Sequence, residues 1–254
     1  MKKQQLVMGM PSSIEIADRY ARTEDINDVF NFFRHIDRKF STYKSGSEME
    51  KINRGEIKEK DFSPEMKLIM SLCQKTKQET KGYFDIHIGS KIDPSGIVKG
   101  YAIKKGADML QDKGYRNFFV EIGGDIQIHG YSNACTESLL KVGTKWKVGL
   151  QNPFNKKEII KVLYLTDKGI ATSGNYIRGK HIYNPIRAKA ADEIVSISVV
   201  GPDVYEADRF ATAAFAMGEK GIEFIATLPG FEAYMVTKDK RAVFTRGFEK
   251  YLVN

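Results

Sequence analysis

Asp208 and Thr212, in "YEADRFATAAFAMG", stand four residues apart in a stretch with helical spacing, so a carboxylate and a hydroxyl share one face a turn apart. Hard cations such as Mg2+ take oxygen ligands, few of them from the protein, with phosphate and water completing the shell. The pair suits that role; a solvated or capping acid beside a packed hydroxyl is the plainer alternative. In "IDPSGIVKGYA", Lys99 follows a Gly-containing turn near the start of a helix, where unpaired N–H groups and the helix dipole favour an anion. The GxxxxGK[ST] spacing of a nucleotide-binding P-loop is absent, and a surface lysine is the alternative. "EIGGDI" ends an apolar run in Gly123, Gly124 and Asp125, a turn whose N–H groups can approach a ligand while the acid accepts from a ribose or base. By itself such a turn also reads as a hairpin with an exposed acid.

His181 is one of four histidines and ends "GIATSGNYIRGKH" ahead of "IYNP". Imidazole can serve as a general base near neutral pH, although a lone histidine also fits a structural or surface place. The sequence has no HExxH, no Cys/His cluster and no GxSxG, which excludes zinc proteases and serine hydrolases on those patterns.

The elements that must carry these residues can be read from spacing. A strand occupies the second half of "LVMGMPSSIEIA", entered through a Gly/Pro bend. Thr23 caps an amphipathic helix of about four turns with Ile26, Val29, Phe30, Phe33, Ile36 and Phe40 on one side. A short helical turn starts at Ser47, and Ser63-Pro64 opens a helix ending near Gly82. "YFDIHI" alternates as a strand. The Pro-Ser-Gly turn leads into a helix carrying Ile103, Ala107 and Leu110, stopped by Gly114 and followed by a buried strand "NFFVEI". "WKVGLQNP", "EIIKVLYLT", "EIVSISVVGP" and "FEAYMVTKD" read as strands, and Glu206 to Met217 as a helix. "GIATSGNYIRGKHIYNP" has no period and fits neither a core helix nor an alternating strand. With no repeat and no Pro/Gly/Ser-rich linker, the reading is one α+β domain over residues 1–254, of mixed, mainly antiparallel sheets with packed helices.

The totals bound the function. The 254 residues, 42% hydrophobic and 28% charged, can bury a substantial core. The net charge of +8 comes from scattered Lys and Arg with no basic stripe interleaved with aromatics, which argues against nucleic acid and leaves a phosphorylated ligand in play. Cys73 and Cys135 form neither a CxxC pair nor a disulfide framework, as in a reducing compartment. "MKKQQLVMGM" lacks the apolar core of a signal peptide, so a cytoplasmic location and no membrane span are expected.

In sequence order, "MGMPSSIEI", "FSTYKSGSEMEKIN", "GYFDIHIG", "IDPSGIVKGYAIKKGADML", "VEIGGDIQIHG", "GIATSG", "HIYNP" and "ADRFATAAFAMG" resemble the blocks of the ApbE family of FAD:protein FMN transferases, from about Val7 to Val236. The resemblance implies a T-fold-like α+β domain and a Mg2+-dependent enzyme with FAD as substrate. Such an enzyme moves FMN to a Thr or Ser hydroxyl of an acceptor flavoprotein and releases AMP. It implies that Asp208, Thr212 and the Ala171 carbonyl hold metal. Met10, Tyr43, Asp93, Lys99, Gly123, Gly124, Asp125, Thr172 and Ser173 would line the nucleotide site, and His181, with Lys99, would act in catalysis. Hydrolysis of FAD to FMN and AMP, and flavin binding without turnover, are the rival outcomes. Three departures from the family's pattern are visible: no export signal or lipobox cysteine, only Ser90 and Lys91 between "GYFDIHIG" and "IDPSG", and "HIYNPIRAK" where the family has HxxDPxTG, so Asn184 replaces an acid.

Overall fold

Polar "KKQQLV" pairs with "MPSSIEI" because the two strands flank a turn in which Met8 and Gly9 both adopt positive φ, the twist a tight hairpin needs. These strands, β1 (Lys2–Val7) and β2 (Met10–Ile16), begin a computed structural model that describes residues 1–133, 143–175 and 183–253. Helix α1 (Thr23–Phe40) follows and buries all six apolar residues of its predicted stripe, each stabilising by about 1.5–3 kcal/mol relative to exposure. Its cap is Arg22, whose side chain makes no capping bond to the helix N–H groups, and Thr23 is the first helical residue. Ser47 and Ser63 cap α2 (Glu48–Asn53) and α3 (Pro64–Glu79) as expected, accepting from the Glu50 and Met66 N–H groups.

The alternation of "YFDIHI" proves to be burial without pairing. Phe84 and Ile86 point into the core, yet only β3 (His87–Ile88) makes a ladder, with β4 (Lys91–Ile92). Gly89, at φ +61°, and Ser90 form the turn between them, so the shortened segment is a minimal hairpin. Helix α4 (Ser95–Asp112) leads into β5 (Phe118–Ile122) and β6 (Asp125–His129); β7 (Trp146–Asn152) and β8 (Asn155–Leu165) form a separate hairpin. Then come β9 (Lys168–Gly174), the short pair β10 (Tyr183–Asn184) and β11 (Lys189–Ala190), and β12 (Ile194–Gly201). Helices α5 (Val204–Met217) and α6 (Gly221–Ala226) precede β13 (Glu232–Thr237) and β14 (Ala242–Phe244).

One eight-stranded sheet, in the order β1-β2-β5-β6-β9-β12-β13-β14, runs through the molecule, and every ladder among the described strands is antiparallel. Among the described residues, the six α-helices lie on one face. Val120 and Ile122 pack with α1 and α4, and Ala171, Ile197 and Val199 with α5. The other face, with Phe119, Ile128 and Ile170, is covered by the β7–β8 hairpin and the C-terminal turn holding Phe248 and Tyr251. The α+β expectation is met. Cover on both faces explains why "GIATSG" shows no alternation: β9 is an interior strand. Cys73 is buried and its thiol is pushed up to about 12 by burial, which makes it an inert packing group; Cys135 lies outside the described residues. Among the described residues no helix is long and apolar enough to cross a membrane.

Candidate functional site

The β5–β6 turn fixes the site's edge. Gly123 and Gly124 sit at φ +61° and +94°, a pair of left-handed residues that glycine adopts without a Cβ penalty, and the Gly123 N–H donates to the Pro11 carbonyl at 2.9 Å. Asp125, the first residue after the turn, is 1% exposed and takes the Thr172 N–H on Oδ1 at 3.0 Å, tying the end of β6 to β9.

Across from this turn, α4 and α5 approach closely because Gly100 has no side chain. A Cβ there would lie 2.9 Å from the Asp208 Cβ and 3.1 Å from the Tyr205 Cα. The Gly100 N–H donates to Asp208 Oδ2 at 2.9 Å. Lys99, one residue earlier, sends its ammonium between two carboxylates, pairing with Asp125 Oδ2 and standing 3.4 Å from Asp208 Oδ1. Burial pushes the Asp208 carboxyl up to about 7, the Asp125 charge adds to this, and Lys99 opposes it. Thr212, one turn along α5, faces the first turn of α4 at Gly96, where a Cβ would be 3.7 Å from its hydroxyl oxygen.

These groups line a cleft of about 740 Å3, a size that suits a large organic ligand. Met8 and Met10 of the β1–β2 turn, Phe40 at the end of α1, Tyr43, Tyr83 and Phe84 form its apolar walls. Asp93, Ser95, Gly96, Lys99, Asp208 and Thr212 supply polar and charged groups, and Gly123, Gly124, Thr172 and Ser173 close one side. Met10 presses on the Gly123 turn. Tyr43 is 93% exposed, leaving its ring free at the rim. Asp93 accepts the Ser95 N–H at 2.9 Å and so shapes the entrance to α4, whose first turn faces the cleft.

Of the residues singled out from sequence, Met10, Tyr43, Asp93, Lys99, Gly123, Gly124, Thr172, Ser173, Asp208 and Thr212 all line this cleft, and Asp125 reaches it through Lys99. Ala171 does not line it: fully buried and paired with Val199, it packs beneath α5. His181 lies outside the described residues. Asn184 is buried and structural, donating to the Ala216 carbonyl at 2.6 Å and accepting from the Arg187 N–H at 3.0 Å. Sequence reasoning missed Glu121, Gln151, Gly96 and Gly100. Of these, Glu121 was within sight, in "VEIGGD" ahead of the glycines, and Gly100 directly follows Lys99.

A protein-family model described as the ApbE family matches residues 8–91 and 89–235. The chain belongs to the ApbE family. Among curated relatives, a Vibrio cholerae protein named FAD:protein FMN transferase is 29% identical over 170 residues, 63% of this chain and 47% of its own length. A Treponema pallidum protein of the same name is 28% identical over 170 residues, with the same two shares. The chain thus spans about half the length of the curated relatives it matches. The solved flavin transferase ApbE from Vibrio cholerae superposes with a TM-score of 0.83 at 20% identity, covering 99% of each chain. The ApbE protein of Thermotoga maritima gives 0.82 at 21%, covering 100% of this chain and 99% of its own. At these identities the solved structures establish the fold.

Proposed function

We propose that this ApbE-family protein is a Mg2+-dependent FAD:protein FMN transferase. The observation that carries the reading is the half-buried Lys99 ammonium set between the buried carboxylates of Asp125 and Asp208, with Thr212 beside them, opening into a cleft large enough for a dinucleotide. The names of its curated relatives support the same reading.

The donors fit magnesium. Asp208 and Thr212 offer hard oxygen ligands, and the nearby Asp125 adds negative charge that already holds one cationic group, the Lys99 ammonium, between two carboxylates. Mg2+ bound there would neutralise diphosphate charge and stabilise the leaving phosphate. Lys99 and the first turn of α4 bind the diphosphate and hold it in line, which is most of what phosphoryl transfer asks of a protein. The apolar walls around Met10 and Tyr43 take a planar ring and exclude water from its face.

In the reaction an acceptor Thr or Ser oxygen attacks the phosphorus of the FMN half, a phosphoester forms, the diphosphate P–O bond breaks, and AMP leaves. His181 takes the hydroxyl proton. The test compares wild type with Asp208→Ala for AMP release from FAD at varied Mg2+. We expect the variant to lose at least about a hundredfold of Mg2+-dependent rate; wild-type release by the variant would overturn the metal assignment.

A further inference from the structure

Helix α5 carries Asp208 and Thr212, so its position along and about its own axis sets where both stand. Against the sheet it is held by Ala207, Ala211 and Ala214 with Phe210 and Phe215, apolar contacts that carry no direction. On the side toward α3 the hold is directional. Arg209, the residue after Asp208, is 3% exposed and aims its guanidinium fork at two carboxylates. Its Nε donates to Glu206 at 2.9 Å and Nη2 donates to the same oxygen, while Nη1 donates to Glu79 at the end of α3 and stands 3.4 Å from the Thr76 hydroxyl. Glu79 precedes the turn that builds a wall of the cleft: the Thr80 hydroxyl accepts from the Phe84 N–H at 3.1 Å, and Tyr83, Phe84 and Asp85 line the cleft. Phe84 and Thr212 both press on Gly96 of α4, where a Cβ would lie 3.0 and 3.4 Å from their carbons. Wall and candidate ligands thus meet at one point, and Arg209 joins the two helices that bring them there.

We propose that Arg209 is a positioning residue for the metal site: its fork to Glu79 and Glu206 sets the register of α5 against α3, and so the placing of Asp208 and Thr212. The assignment rests on the reading of Asp208 and Thr212 as ligands of a hard divalent cation. Stability gives little reason for such a group, because an apolar side chain of similar volume commonly holds two helices as well as a buried ion pair does. Direction gives one: a planar fork with fixed donors locks rotation and sliding together, which alanine contacts cannot. Both carboxylates reach solvent, so removing the guanidinium strands no buried charge.

Mn2+, which takes the same oxygen ligands and is paramagnetic, is titrated into the purified protein and followed by electron paramagnetic resonance, with Mg2+ as competitor and Asp208→Asn as the variant that should abolish the site. Arg209→Met should keep the circular dichroism of the wild type and raise the Mn2+ Kd about tenfold or more, with the Mg2+ half-saturation of AMP release moving alike. Glu79→Gln, a milder change that decides the matter if Arg209→Met does not fold, should raise the Kd about threefold. Added to Arg209→Met it should raise the Kd no further, because the two act through one contact. A folded Arg209→Met that binds Mn2+ as the wild type does would overturn the proposal, as would effects of the two substitutions that simply add. A Mn2+ site that Asp208→Asn leaves intact would remove the metal reading and this assignment with it. Mn2+ binding weakened as expected, in a protein that never releases AMP from FAD, would keep Arg209 in its role and remove the transferase reading.

Discussion

Asp208 is a buried carboxylate that receives one backbone N–H and part of one ammonium. Such a group is costly unless a cation is at hand. Asp208→Asn keeps the shape and removes the charge, so it should retain the fold and lose Mg2+-dependent AMP release as Asp208→Ala does; circular dichroism beside the assay checks both. His181→Ala should leave FAD binding within about twofold and slow FMN transfer about a hundredfold or more, the usual span for a general base; wild-type transfer would remove His181 from that role. Away from the cleft, Asp25 is 1% exposed and its carboxyl is held well below the usual range by the Lys113 ammonium, the Tyr115 hydroxyl and Arg22, against the cost of burial. A depressed carboxylate stabilises the fold above its unfolded value near pH 4 and loses that contribution as the pH falls below it. Asp25→Asn should therefore cost about 1–3 kcal/mol at pH 7 in denaturant unfolding, and less toward pH 3. At this scale the Asp208–Thr212 spacing was legible as one helical turn. The Lys99 partners were not, since they come from β6 and α5, distant in sequence.

The packing of α4 on α5 sets where Asp208 stands. Gly100→Ala adds a methyl at 2.9 Å from the Asp208 Cβ; overpacking of this kind costs about 1–3 kcal/mol, against a gain of about 1 kcal/mol in helix propensity. The net cost is at most about 2 kcal/mol, so the unfolding midpoint should fall modestly while the protein still folds. AMP release should nevertheless fall about tenfold or more, because Asp208 and its N–H donor are pushed apart; unchanged release would mean that this contact does not position the site. Caps and stripes made α1, α2 and α3 legible, since those signals are local. Strands were legible where one face meets solvent or where an apolar run ends in a turn, as in β5. The identity of β9 was hidden because an interior strand buries both faces, and β1 because an edge strand can be polar throughout.

The whole molecule is a sheet with helices on one face and a hairpin on the other, and the cleft wraps the end of the sheet at Gly123-Gly124. The order of short motifs along the chain revealed the family, while the packing of the β7–β8 hairpin over Ile128 of β6 and Ile170 of β9 joins segments distant in sequence and left no local signal. The central claim is transfer of FMN from FAD to a protein hydroxyl. It is tested most directly by incubating the protein with FAD, Mg2+ and an acceptor domain bearing a flavinylation-type threonine, then reading acceptor mass and AMP together. The account predicts AMP and an acceptor heavier by one FMN, with neither formed when Mg2+ is chelated. Bound FAD with no AMP, or AMP with free FMN beside an unmodified acceptor that a known flavin transferase does modify, would contradict it.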